Sequence, residues 1–205
     1  EDNSHDMDYL RQSGGSMIHG ITASILAAAS GPTDTGWVIP ATFVSLSPGD
    51  VAWNDPSNAG EDNASLAVTG AIDENELSRY LKGTMGANAF SIPSGATIDG
   101  LEVSIDMEVS SGGAFETPTA GTRLVIGDVL TGKTTTTGTF HADKTNTTLT
   151  EYFAGSSTQD WGGIAVSDAN ASTFGFAFRK EQPNNEDDGV TMSVRLIKIK
   201  IYYTP

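Results

Sequence analysis

Two long segments alternate between apolar and polar residues, and this pattern constrains the fold more than any other feature of the sequence. The first covers residues 98–109. Its apolar members, on one side, are Leu101, Val103, Ile105, Met107 and Val109. Its polar members, on the other, are Glu102, Ser104, Asp106 and Glu108. A period of two residues is typical of antiparallel strands with one face on the core and one face in solvent.

The second alternating segment closes the chain, at residues 190–203. Ile197, Ile199 and Ile201 share one side of this strand, and Lys198 and Lys200 share the other. Upstream of Ile197 the apolar residues Val194 and Leu196 have even numbers, so they lie on the opposite side of the strand from the three isoleucines. A change of side within one strand predicts a β-bulge near Leu196 and Ile197.

Further short apolar runs lie between turn-forming residues, and the chain contains 23 glycines. Glycine supplies the positive φ angles of tight turns. The further strand candidates are 37–46, 89–92, 122–130, 134–140, 164–166 and 174–179. We expect residues 47–71 to be mostly loop and Glu74–Lys82 to form a short helix. The pattern predicts an all-β protein, an antiparallel β-sandwich of the jelly-roll type.

The first 35 residues differ from the rest, so we divide the chain into an N-terminal extension, 1–35, and a sandwich domain, 36–205. Apolar residues at helical spacing predict a short helix in the extension. They are Met17, Ile18, Ile21, Ile25 and Leu26. Either this segment folds onto its own domain, or it is an arm whose five apolar residues contact a neighbouring subunit. The acidic residues before it argue against a signal peptide. Whether a leader precedes Glu1 stays open.

Charge and composition narrow the classes of partner. The chain has 26 acidic and 11 basic residues, a formal net charge of −15. Such a surface repels nucleic acid and anionic membranes, so neither is an expected partner. No apolar run reaches the roughly 18–20 residues that span a bilayer. The absence of cysteine excludes disulfides and thiolate sites.

One string matches a nucleotide-binding motif. Residues 127–134, GDVLTGKT, satisfy the P-loop pattern. A functional P-loop ends in a helix whose N-terminus faces the phosphates. Here threonines at 134–137 follow, and β-branched residues are poor at starting a helix. We therefore interpret the string as a β-hairpin with Thr131-Gly132-Lys133 at its turn.

No other residues form a convincing catalytic or metal site. The loop Asn184–Gly189 resembles the first half of an EF-hand, but Arg195 occupies the position of the bidentate glutamate. His5, His19 and His141 have no second ligand at suitable spacing. The sequence predicts a non-enzymatic protein without a cofactor, and weak calcium binding by the acidic loops stays open.

Five short sequence elements follow one another from Trp53 onward. They are W-N-D-P-S-N-A at 53–59, F-S-I-P-S-G-A-T-I-D-G-L-E-V at 90–103, D-W-G at 160–162, F-G-F at 174–176 and a C-terminal aromatic strand. In this order they resemble a β-sandwich domain of structural proteins of tailed bacteriophages and related viruses. The residues that carry the resemblance are Trp53, Pro56, Phe90, Pro93, Gly100, Trp161, Gly162, Phe174, Gly175, Tyr202 and Tyr203. We expect Gly100 to admit a close backbone or a bend of the strand, and Gly162 and Gly175 to lie beneath aromatic rings.

The resemblance implies a structural protein of the virion, either a capsid decoration subunit or part of a tail or fibre. It would be a homo-oligomer that contacts other virion proteins. An alternative is a carbohydrate- or receptor-binding module at a tail tip. That function needs exposed aromatic residues, for which Trp37, Trp53 and Tyr152 are the candidates. A third hypothesis is an extracellular filament subunit whose N-terminal strand completes its neighbour's sheet.

Overall fold

A computed structural model describes residues 31–110, 121–134, 148–180 and 189–205, and the backbone alone of 115–116 and 141–142. The predicted helix at Met17–Leu26, His5 and His19 lie outside the described residues, as does most of the acidic loop at 184–189. No helix in the described part of the chain is long and apolar enough to cross a membrane.

Strands dominate the described residues. In chain order they are β1 (Thr33–Asp34), β2 (Thr42–Leu46), β3 (Trp53–Asn54), β4 (Ala67–Thr69), β5 (Tyr80–Thr84), β6 (Thr97–Val109), β7 (Phe115–Glu116), β8 (Thr122–Ile126), β9 (Val129–Leu130), β10 (His141–Ala142), β11 (Thr150–Ser156), β12 (Gly175–Phe178) and β13 (Met192–Thr204). A 3-10 helix, Pro56–Ala59, and one turn of α-helix, α1 (Val166–Ala169), are the helices found there.

The strands form two antiparallel sheets that enclose the core. Sheet A has the order β11-β6-β13-β4-β3, with β1 also paired to β13. Sheet B has the order β2-β5-β12-β8-β9, and β7 and β10 form a separate pair. This arrangement confirms the predicted all-β sandwich. Pairing with β13 begins at Thr33, within the predicted extension; the boundary after residue 35 stays a prediction.

Strands β6 and β13 form the centre of sheet A. Val103 pairs with Ile199 and Ile105 with Ile197, and all four side chains are buried. The register shifts between Val194 and Leu196. This shift confirms the predicted bulge and explains why the apolar residues change parity along β13. After the bulge Leu196 pairs with Asp106, a polar position of β6.

Aromatic rings fill the core opposite these aliphatic rows. Trp53 contacts Phe178 edge-on at 5.8 Å between ring centroids, and Trp161 contacts Phe176 at 5.9 Å. Both indole N–H groups donate to backbone carbonyls, that of Trp53 to Arg79 at 2.7 Å and that of Trp161 to Leu101 at 3.0 Å. A buried indole therefore keeps its hydrogen bond, as burial of a polar group requires.

Two of the signature glycines allow close approach of backbones. A Cβ at Gly100 would lie 2.3 Å from the carbonyl oxygen of Ser156, as predicted from the strand pattern. A Cβ at Gly175 would lie 1.9 Å from the carbonyl oxygen of Gly83, so the nearest neighbour on that side of Gly175 is backbone. The ring of Phe43 lies against the bare backbone of Gly60 and Gly83.

Several local predictions were wrong. Glu74–Lys82 is not a helix, because Tyr80–Thr84 forms β5, hydrogen-bonded between β2 and β12; strand pairing overrides a weak helix propensity. Residues 89–92 are not a strand; they follow a turn at 87–88, and Asn88 and Ser91 both have positive φ. Residues 164–166 are not a strand, and Val166 begins α1. The prediction for 47–71 is confirmed, because this region is mostly loop and holds just three short elements, β3, the 3-10 helix and β4.

We predict that Gly175→Ala destabilises the sandwich. The new methyl group would collide with the backbone of Gly83 in the adjacent strand, which cannot yield without breaking the pairing of β12 with β5. Overpacking of this kind costs about 1–3 kcal/mol or more of unfolding free energy. Urea denaturation measures the loss. Gly95→Ala is the matched control, because a Cβ there meets nothing within 4 Å. Equal midpoints for the two variants would contradict the assignment.

Candidate functional site

The outer face of sheet A, formed by the solvent-directed side chains of β11, β6 and β13, carries the most distinctive surface chemistry of the described residues. The register of strand pairing places the residues of this face in three rows that run across the strands. Glu151 lies opposite Asp106, Phe153 opposite Ser104, and Gly155 opposite Glu102. Across the other side of β6, Leu196, Lys198 and Lys200 extend the same three rows. The polar half of each alternating strand thus becomes one continuous surface.

Two large aromatic side chains stand on this polar face. Phe153 is 48% exposed and Trp37 is 36% exposed. Their ring centroids are 6.0 Å apart and the rings are tilted by 48°. We call these two residues the aromatic pair. They come from segments more than 100 residues apart, so the pairing of strands alone brings them together.

Trp37 is held over the sheet by the backbone of its neighbour. Val38 N–H donates to the carbonyl of Ile199 at 2.9 Å, and Ile199 N–H donates to the carbonyl of Val38 at 2.8 Å. The indole lies above two lysines of β13, with Nζ of Lys200 at 4.4 Å and Nζ of Lys198 at 5.4 Å from the ring centroid. Cation–π contacts of this geometry hold one face of the indole ring against the two lysines.

A cleft of about 320 Å³ adjoins the aromatic pair. This volume lies at the lower end of the range of small-molecule sites. We call it the charged cleft, and it is lined by Asp62, Asp106, Leu149, Glu151, Arg195, Leu196 and Lys198. Lys198 belongs to both features, since it lines the cleft and lies beneath the ring of Trp37.

Ion pairs order the charged cleft. Lys198 Nζ lies 2.8 Å from a carboxylate oxygen of Glu151. Arg195 donates from Nε to Asp106 at 2.7 Å, and the same Nε lies 3.8 Å from Asp62. Glu151 also accepts a hydrogen bond from the hydroxyl of Ser104. The bulge in β13 explains the arrangement, because its extra residue, Arg195, lies between the paired Val194 and Leu196 and its side chain reaches Asp106.

These contacts shift pKa values. The hydrogen bonds from Lys198 and then from Ser104 lower the pKa of Glu151. For Lys200, burial acts to lower the pKa, but hydrogen bonds with Tyr202 and Glu102 outweigh it and the pKa is raised. Burial raises the pKa of Tyr202, whose hydroxyl donates to Glu102 at 2.9 Å. Within the charged cleft, the lowered pKa of Glu151 favours its carboxylate form.

Only one of the three aromatic residues predicted for a binding surface is well exposed. Trp37 is on the outer face, whereas Trp53 is buried, with 3% exposed. Tyr152 lies opposite Ile105 and packs against the core. Sequence reasoning missed Phe153, its neighbour. The signal was available in principle: in Glu151-Tyr152-Phe153 only alternate residues share a face, so Phe153 had to lie with Glu151 if Tyr152 faced inward.

The P-loop string is a hairpin, as predicted, but its turn lies earlier than expected. Ile126 pairs with Val129, and the two residues between them, Gly127 and Asp128, have φ of 63° and 67°. Two positive φ angles are typical of a tight hairpin turn. The ammonium of Lys133 donates to the carbonyls of Gly162 and Gly163. The lysine of the motif thus has a structural partner within its own chain.

The other signature residues support the scaffold. Pro56 begins the 3-10 helix, Pro93 accepts a hydrogen bond from Ala96 N–H in a turn, and Gly162 has φ of 87°. The ring expected over Gly162 is not among its close neighbours. Phe90 contacts Phe174 in the core at 5.9 Å. Tyr202 lies on the outer face, and Tyr203 packs against the core.

The acidic loops have backbone partners where they are described. The Asp73 carboxylate accepts from Gly189 N–H and the Glu76 carboxylate from Asp73 N–H, both at 3.0 Å. Asn170 exchanges two hydrogen bonds with the backbone of Ile92. No group of three or more potential metal ligands occurs within the described ranges.

No protein-family model and no curated protein matches the sequence. Among solved structures, the xylan-binding domain CBM22-1 of Paenibacillus barcinonensis Xyn10C is 6% identical with a TM-score of 0.41, over 82% of this chain and 94% of that chain. The apo CBM1 of BiXyn10A is 11% identical with a TM-score of 0.35, over 85% and 96%. A structure with a xylogluco-oligosaccharide is 15% identical with a TM-score of 0.38, over 79% and 38%. At this distance neither fold nor function is transferred.

We predict that Lys198→Met raises the pKa of Glu151 from its lowered value towards 4.5, the ordinary value for glutamate. The reason is that Lys198 is the largest cause of the shift. In the wild-type protein, stability from this pair is complete above the ordinary value and is lost as pH falls through the lowered folded pKa. Carboxyl-detected NMR titration measures both values.

Lys200→Met is the control for that titration, because Lys200 pairs with Glu102 at 3.2 Å and not with Glu151. An unchanged Glu151 titration in the Lys198 variant would contradict the ion pair.

Proposed function

We propose that this protein is a non-catalytic β-sandwich module that binds carbohydrate on the outer face of sheet A. The observation that carries the proposal is the aromatic pair: Trp37 and Phe153 are exposed, 6.0 Å apart, on a face whose other side chains are mainly polar. The charged cleft directly beside them supplies hydrogen-bonding groups.

The chemistry of sugars fits this combination. A pyranose ring has C–H groups on its faces and hydroxyls on its rim, so it stacks on an aromatic ring while its hydroxyls reach polar side chains. Burying exposed aromatic surface yields about 25 cal/mol for each Å² removed from water. Carboxylates accept from sugar hydroxyls, and charge-assisted hydrogen bonds are stronger than neutral ones. Phe153 is two residues from Glu151 on one face of β11, a separation of about 7 Å, which suits a single sugar unit.

Rigid placement also favours binding. The backbone bridge between Val38 and Ile199 fixes Trp37, and β11 fixes Phe153. Groups that are already ordered lose little entropy when a ligand arrives. A preformed pair of aromatic rings is therefore a better ligand surface than aromatic residues that become ordered only when the ligand binds.

The place of the protein on a virus particle and its assembly into oligomers stay predictions that rest on the sequence resemblance. A sugar-binding module at a tail tip is compatible with both. The five apolar residues of the N-terminal extension, which would test the arm hypothesis, lie outside the described residues.

We predict that Trp37→Ala and Phe153→Ala each weaken carbohydrate binding about ten-fold or more, because each removes part of the stacking surface; ten-fold corresponds to about 1.4 kcal/mol. A glycan array identifies a ligand for the wild-type protein, and isothermal titration calorimetry measures the variants.

Val44→Ala is the control for these two variants, since Val44 is an exposed apolar residue of sheet B. If Trp37 served only to cover the stems of Lys198 and Lys200, its removal would lower stability and leave the affinity unchanged. That result, or an array without any ligand, would refute the proposed function.

A further inference from the structure

The charged cleft gives the proposed carbohydrate site a charge preference. We infer that it makes the site selective for uncharged sugars and excludes acidic ones, such as uronic acids. This inference rests on the proposed function and adds the class of ligand. It follows from how the cleft's charges are paired.

Negative groups outnumber positive groups in the cleft. Asp62, Asp106 and Glu151 contribute three carboxylates, and Arg195 and Lys198 contribute two cations. The local balance is therefore one negative charge. A carboxylate on a sugar would bring a fourth anion into a partly enclosed space where like charges repel strongly.

Both cations already have carboxylate partners. Lys198 lies 2.8 Å from Glu151, and Arg195 donates to Asp106 at 2.7 Å. Beneath the aromatic pair, Lys200 is likewise paired, with Glu102 at 3.2 Å. An acidic sugar would have to displace one of these carboxylates to gain a cation, and the displaced carboxylate would lose its own partner.

Uncharged hydroxyls meet no such obstacle. The side chain of Glu151 is 43% exposed and that of Asp62 is 70% exposed, so their oxygens are accessible from solvent. A hydroxyl can donate to these oxygens while the ion pairs stay intact. The lowered pKa of Glu151 agrees with this role, because it keeps the carboxylate an acceptor in mildly acid solution.

Affinity electrophoresis of the full chain tests the inference. The neutral probes are galactomannan and hydroxyethylcellulose, and the acidic probes are carboxymethylcellulose, polygalacturonate and alginate. We expect at least one neutral polysaccharide to retard the wild-type protein, every acidic one to retard it much more weakly, and Trp37→Ala to abolish the retardation.

Glu151→Gln separates the charge of the cleft from the net charge of the whole chain. Removing this carboxylate leaves the cleft neutral and frees Lys198, so the ratio of acidic to neutral affinity should rise about two- to five-fold. Asp168→Asn removes one charge from α1, whose residues do not line the cleft, and should leave the ratio unchanged. An equal rise in both variants would overturn the inference.

The remaining outcomes distinguish the inference from the function on which it rests. An acidic probe could retard the wild-type protein as strongly as any neutral one, and Trp37→Ala could abolish this retardation. That result would overturn the charge preference and uphold carbohydrate binding. Retardation by no polysaccharide would overturn both.

Discussion

Strands β6 and β13, each thirteen residues long, pair along almost their whole length, and both faces of the molecule follow from that pairing. Inward, aliphatic rows such as Val103 with Ile199 form the wall against which the aromatic core packs. Outward, the same register places Ser104 beside Lys198 and Glu102 beside Lys200. One set of backbone hydrogen bonds thus builds the core and the candidate site together.

The bulge in β13 links stability to the site. With regular alternation, Leu196 would face the core and Arg195 would lie among the outward residues. The extra residue instead turns Leu196 outward opposite Asp106 and leaves Arg195 to pair with that carboxylate. Asp106 is itself buried, and the guanidinium supplies the partner that a buried carboxylate requires. The charged cleft is therefore a consequence of the bulge in β13.

The aromatic pair depends on a different element, the short connection between β1 and β2. This stretch runs along the edge of β13 and is hydrogen-bonded through Val38. It lies beside a strand that the far end of the chain provides, so Trp37 meets Phe153 only once sheet A has closed. A surface assembled in this way is destroyed by unfolding of the sheet, so the proposed binding depends on the integrity of the sandwich.

Sequence alone determined the β class, the two long alternating strands, the bulge, and the hairpin in the P-loop string, because a period of two and the chemistry of turns are local properties. It could not assign the strand Tyr80–Thr84, whose conformation depends on two neighbouring strands. Nor could it decide which aromatic residues are exposed, because only the tertiary structure buries Trp53 against Phe178 and leaves Trp37 beside Phe153. Exposure and ion pairing are set by contacts between segments that are distant in the chain. No local sequence pattern records such contacts.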